Sequence, residues 1–127
     1  MNTRTTTITR ELIASFALLS GDFNPVHVDE SYAKTTPWGG PIAHGALIEV
    51  LVSAELARKY PGVIITEKNK VRFKKPFRPG DEVEIVLTKH AAVDDYWWIE
   101  NAEARVNGEA YFTAHYVLRT RKPKEAK

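Results

Sequence analysis

The chain has no cysteine and a single methionine among its 127 residues. No disulfide, thiolate zinc site or cysteine nucleophile can be built from it, and the absence accords with a reducing, cytoplasmic setting. Long apolar runs are also missing. The longest, residues 46–57, is broken by Glu49, Ser53 and Glu55, so no membrane span or membrane partner is expected. Residues 1–8 are threonine-rich and lack the apolar stretch of a secretory signal. A strong charge of one sign is absent too: the formal net charge is +2. There is no G-x-S-x-G elbow, Walker loop or dinucleotide fingerprint, and no repeat, low-complexity block or linker.

What is present suits one domain over residues 1–127. A chain of this length buries roughly two thirds of the surface that its unfolded form exposes, enough for a real core. Hydrophobic residues make up 43% and charged residues 27%, ordinary values for a globular domain.

Periodicity gives the element order. Residues 3–7 are β-branched and form a short edge strand at best. Thr9 caps a helix in which Leu12, Ile13, Phe16 and Leu19 share a core-facing stripe, and Gly21 ends it. Residues 22–28 read as a loop, with Asn24-Pro25 as a turn signal. Asp29 caps a short helix through Tyr32 and Ala33, and residues 36–41 form a second loop rich in Pro and Gly. From Gly45 the pattern is apolar nearly all round, which predicts a helix buried on most sides and ending near Tyr60-Pro61-Gly62.

The rest is β: a long strand over residues 63–77, a turn at Pro79-Gly80-Asp81, and a strand in which Val83, Ile85 and Leu87 face one side. A third strand over residues 96–106 and a fourth over 109–119 are joined by an Asn107-Gly108 type I′ turn. The tail, residues 119–127, is expected to be flexible. The fold class is therefore α+β, an antiparallel sheet wrapped around one long central helix. Its uncovered edges predict a dimer.

The segment Ser20-Gly21-Asp22-Phe23-Asn24-Pro25-Val26-His27 carries the most chemistry. A carboxylate and an imidazole five residues apart on a Pro-stiffened loop can converge on one water and perform general acid–base work. The same residues also admit a purely structural reading, with Asp22 capping a turn and His27 satisfied in place. Gly45 at a helix start offers an unpaired N–H at the positive end of the dipole and lets a ligand approach closely, which suits an oxyanion hole. It equally admits tight packing alone. His44 beside it could support the site or cap the helix.

A metal site from His27 and Asp29 is not expected, because His90 and His115 lie in strands without ligand spacing. Tyr96, Trp97 and Trp98 read as core and interface rather than a base-stacking surface, so no nucleic-acid partner is expected. Lys70, Arg72 and Lys74 form a basic stripe that suits a phosphorylated ligand or simply a solvated strand face.

Together the opening motif, Tyr32-Ala33, Ile42-Ala43-His44-Gly45, Val71-Arg72-Phe73-Lys74-Lys75-Pro76-Phe77 and Pro79-Gly80-Asp81-Glu82-Val83 resemble the MaoC-like (R)-specific enoyl-CoA hydratases, over residues 8–118. The resemblance implies a hot-dog fold, usually dimeric with the two sheets joined. It implies hydration of a trans-2-enoyl-CoA to an (R)-3-hydroxyacyl-CoA, or the reverse dehydration. It assigns Asp22 and His27 to the catalytic water, Gly45 to the thioester carbonyl oxygen, and Asn24, Ser53 and His44 to supporting positions. Trp38, Lys70, Arg72 and Lys74 are candidates for binding the substrate. No cofactor or metal is implied, since CoA arrives with the substrate. The same chemistry on an acyl-carrier-protein thioester, a non-catalytic thioester-binding subunit of a heterodimer, and a hot-dog thioesterase are the competing readings.

Glu49 departs from the family pattern. It lies four residues after Gly45 and four before Ser53, hence on the same helix face. A carboxylate beside an acyl site is costly unless it is paired or solvated. It either pairs with a basic strand residue or polarises the acyl pocket toward short or polar groups.

Overall fold

A computed structural model describes residues 4–121. The elements run β1 (Thr5–Thr7), α1 (Arg10–Ser20), α2 (Pro25–Val28), α3 (Glu30–Ala33), α4 (Gly45–Lys59), β2 (Ile64–Phe73), β3 (Glu82–Asp94), β4 (Trp97–Val106) and β5 (Glu109–Arg119). The strands form one antiparallel sheet in the order β1-β3-β4-β5-β2. The long helix α4 lies against its inner face, as the apolar pattern predicts.

Strict alternation builds the centre of the sheet. Trp98, Glu100, Ala102, Ala104 and Val106 of β4 and Phe112, Ala114, Tyr116 and Leu118 of β5 are buried. Alternate residues of a strand share a face, so these all point inward. Alanine at 102, 104 and 114 leaves room for Leu47, Ile48, Val52 and Leu56 of α4, which are buried against them in one core. Asn107 and Gly108 take φ of 51° and 79°, the conformation a type I′ hairpin requires. The N-terminal segment is clipped on through Ile8, whose N–H donates to Asp81 O at 2.8 Å and whose carbonyl accepts from Gly80 at 2.7 Å.

Glu100 is the one fully buried carboxylate among the described residues. It accepts from Lys59 Nζ at 2.9 Å, Tyr60 Oη at 2.9 Å and Trp98 Nε1 at 3.1 Å. The C-terminal end of α4 is thereby tied to the middle of the sheet.

Several expectations need correction. Residues 25–28 are a helical turn rather than loop, because Asn24 Oδ1 accepts from Val26 N and Pro25 sits at the first helical position. Leu19 does not join the core stripe and is 83% exposed; α1 buries Ile13 and Ala17 instead. Strand β2 stops at Phe73, short of residue 77, because Lys74 and Lys75 both turn their N–H groups to Tyr111 O and Pro76 has none to give. Strand β3 runs on to Asp94 by pairing with β4 through two bulges. Helix α4 is not buried on most sides: Val50 is 51% exposed, and Ala46 and Ser53 are exposed with it. Residue 119 is paired in the sheet and Thr120 N–H donates to Tyr96 O, so the chain is ordered there. Thr3 and the tail from residue 122 lie outside the described residues. No described helix is long and apolar enough to cross a membrane.

Replacing Glu100 by Ala strips three donors of their acceptor. Because Lys59 stays partly in water, the expected loss is about 2–3 kcal/mol in chemical denaturation, with Glu100→Gln losing less.

Candidate active site

A ladder of short side chains shapes the loop after α1. Gly21 stops the helix in the left-handed conformation, φ 81°. Ser20 Oγ then accepts from Asp22 N at 3.1 Å, Asp22 Oδ1 from Asn24 N at 3.1 Å, and Asn24 Oδ1 from Val26 N at 3.2 Å. Each is a local turn in which the side chain does what a backbone carbonyl would do. The ladder sets His27 on α2, facing the start of α4.

The segment before α4 locks onto that loop. His27 Nδ1–H donates to Ile42 O at 2.8 Å, and Ile42 N–H donates back to Val26 O at 3.2 Å. The proton on Nδ1 is assigned from the carbonyl it faces, and it leaves Nε2 with an open lone pair. Ala43 N–H donates to Phe77 O at 2.7 Å, joining the same segment to the chain after β2. His44 is 1% exposed. Its Nε2–H donates to Asp22 O at 2.9 Å, its ring stacks on His27 at 3.9 Å, and Phe16 meets it edge-on at 5.0 Å. Its Nδ1 is buried without a protein partner among the described residues.

Asp22, His27 and His44 bring ligand atoms within 4.8 Å of one another. A metal ion would need both rings to aim a lone pair at one point. Rings stacked with 28° between their planes aim them side by side, and one nitrogen of each is already spent on a carbonyl. The trio therefore suits the sharing of a water better than the grip of an ion.

A cleft of about 380 Å³ opens beside His27, with Trp38, Gly45, Phe73, Lys74 and Lys75 on its walls. Gly45 is the first residue of α4, so helix geometry leaves its N–H without an intrahelical partner. A Cβ there would stand 2.9 Å from Phe73 Cζ. Only glycine lets the ring lie this close to the helix start. A second cavity of about 210 Å³ lies on the other flank of His27, bordered by the paired Arg10 and Glu30, and it includes no part of α4.

The structure thus gathers Asp22, His27, His44, Gly45, Trp38 and Lys74, with Asn24 shaping the loop. Glu49 lies one turn further along α4, bonded to Lys68 Nζ at 2.7 Å, and Ser53 is on the exposed flank beyond it. Lys70 and Arg72 are not at the cleft. A bulge between Asn69 and Arg72, with Lys70 at φ 53°, shifts the parity of β2. Arg72 then pairs with Thr113 on the outer face, while Phe73 pairs with Phe112 on the inner face. Phe73 and Lys75 are the cleft residues that the sequence did not single out; both flank the basic stripe, but only the bulge decides which residues turn inward.

With this geometry in view, the comparisons place the chain plainly. The MaoC like domain matches residues 1–108, and the chain belongs to that family. It is 44% identical over 84 residues to an (R)-specific enoyl-CoA hydratase of Aeromonas caviae, covering 65% of this chain and 63% of that one. It is 41% identical over 76 residues to a 3-hydroxybutyryl-CoA dehydratase of Methylorubrum extorquens, covering 58% of this chain and 47% of that one. The chain thus aligns with less than two thirds of the length of each of these relatives. The solved structure of an (R)-hydratase from A. caviae superposes with a TM-score of 0.85 at 30% identity, covering 94% of this chain and 93% of that one. The fold is the hot-dog fold.

His44→Phe keeps a ring in the stack but loses the bond to Asp22, and is expected to cost about 1 kcal/mol. His44→Ala also opens a cavity and is expected to cost about 3 kcal/mol. Urea unfolding of the two variants measures the difference.

Proposed function

We propose that this protein adds water across the double bond of a trans-2-enoyl-CoA to give an (R)-3-hydroxyacyl-CoA, and catalyses the reverse dehydration. The observation that carries the reading is that His27, its Nδ1–H held by Ile42 O, and Gly45, with its unspent N–H, line one cleft, with Asp22 near the same imidazole. The printed names of the relatives at 44% and 41% identity support the substrate class and, for the first, the stereochemistry.

The chemistry follows from the donors and acceptors. The Asp22 carboxylate and His27 Nε2 each accept a hydrogen of one water, which turns its oxygen lone pair toward C3. Gly45 N–H donates to the thioester oxygen. As the C3–O bond forms and the C2=C3 π pair moves into the enolate, negative charge grows on that oxygen; one such donor is typically worth about 3 kcal/mol. His27 Nε2 takes the proton the water gives up. One proton returns from the dyad to C2, so H and OH are added in balance. Nothing in these steps calls for a metal or prosthetic group.

Lys74 stands on the wall of the cleft and suits the phosphates of CoA, as it would those of a carrier-protein arm. The open flank of α4 and the edge strand β2 expose Val50, Ile64, Val71 and Phe73 together. A homodimer that covers this flank and pairs the β2 edge follows. Sedimentation should give about twice the 14.3 kDa of one chain; a stable monomer would refute that part.

Asp22→Asn and His27→Ala are each expected to lower crotonyl-CoA hydration by at least about a hundredfold. Asp22 is exposed and Asn keeps its bond to Asn24, so the fold should survive. Near wild-type turnover in either variant would falsify the mechanism. Gly45→Ala should fold as well as the parent yet lose about tenfold or more in kcat/KM, because its Cβ must displace Phe73 into the cleft.

A further inference from the structure

The groove between α4 and β2 carries groups that hydration does not use. It starts at Gly45, where the Phe73 ring lies against the helix. One turn along, about 6 Å by the helix rise, Glu49 accepts from Lys68 Nζ at 2.7 Å. These two contacts run β2 alongside α4. Lys68 stands opposite Tyr116 of β5, so both side chains face the helix. Tyr116 is 2% exposed, and its hydroxyl has no hydrogen-bond partner in the protein among the described residues. Burial first, and the Glu49 carboxylate second, raise the Tyr116 phenol above its usual range, which keeps the proton on its oxygen. An orphaned buried hydroxyl costs about 1–3 kcal/mol. Phenylalanine would fill the same core space without that cost.

We propose that this groove receives the acyl tail of the substrate and selects short acyl groups, about five or six carbons long, that end in an uncharged oxygen such as a hydroxyl. The inference rests on the hydratase reading above. With the thioester oxygen on Gly45 N–H, an extended tail of that length reaches Glu49. A terminal hydroxyl there accepts from Tyr116 Oη–H and donates to the Glu49 carboxylate. A tail ending in a carboxylate meets the Glu49 charge. A longer alkyl tail must strip water from the Glu49–Lys68 pair and returns nothing for it. Polar groups buried for one partner reject the analogue that lacks it far more strongly than an apolar pocket does.

The test compares kcat/KM for crotonyl-CoA, trans-2-hexenoyl-CoA, trans-2-octenoyl-CoA and 6-hydroxy-trans-2-hexenoyl-CoA. The hydroxylated hexenoyl thioester is expected to exceed the plain one by about tenfold, and octenoyl-CoA to fall about tenfold below crotonyl-CoA. Tyr116→Phe and Glu49→Ala should bring the hydroxyl preference close to one, and Glu49→Ala should also raise octenoyl-CoA relative to crotonyl-CoA. Glu49→Gln, a same-sized change on the partly exposed flank, gives the same readout should a core variant fail to fold; it should weaken the preference by severalfold. A wild type that hydrates octenoyl-CoA and hexenoyl-CoA as well as the hydroxylated thioester overturns this inference and leaves the hydratase standing. So does a hydroxyl preference unchanged in all three variants. Failure to hydrate any of the four overturns the hydratase reading, and this inference with it.

Discussion

The His44 imidazole, wedged between Phe16 and His27 with its Nε2–H on the carbonyl of Asp22, joins three segments of chain that share no ladder of backbone bonds. Helix α1 supplies the edge of Phe16, the loop supplies Asp22, and α2 supplies the stacked ring. Residue 44 itself is the last before α4 begins. One buried side chain therefore sets the distance from the loop to the helix start. A histidine serves where an apolar ring would not, because it fills the space and also answers a carbonyl that would otherwise be left in a dry interior. The proposed chemistry needs that distance held to a fraction of an ångström.

The other end of α4 is anchored by a different kind of contact. Glu100 reaches the helix from the sheet and is met by Lys59 and Tyr60. Between the two anchors the helix rests on a floor of alanines and takes its position from Leu47, Ile48, Val52 and Leu56. The contrast is physical. Apolar contacts are non-directional and would tolerate a small slide of the helix along the sheet, whereas the polar contacts at each end would not. Gly45 thereby stays in register with Phe73 on the neighbouring strand.

Much of this was legible in the sequence because it is periodic. The hairpin β4–β5 reads out residue by residue, since every second side chain is small or apolar and Asn107-Gly108 demands two positive φ angles. The cap at Thr9 and the stop at Gly21 are equally plain. The pair Asp22 and His27 could be found by spacing, but their closeness to His44 could not, because it depends on a bond across 22 positions. Asn24-Pro25 was ambiguous by nature: the same dipeptide opens a turn and caps a helix. Leu19 misled because an apolar stripe on a helix says nothing about where the neighbouring surface ends. Arg72 misled for a reason of parity. A bulge inserts one residue and exchanges inner for outer from that point on, and only partner-strand pairing reveals it.

The stop at Gly21 also bears on how such a site can vary. Asp22 follows it directly, and each later residue of the loop takes its direction from the one before. Helix α1 therefore acts as a ruler and a dial. Adding or deleting one residue anywhere along it would turn the exit by about 100° and shift it by about 1.5 Å, swinging the carboxylate away while every contact inside the loop stayed intact. Substitutions on the exposed face of α1 are free to drift; its length is not.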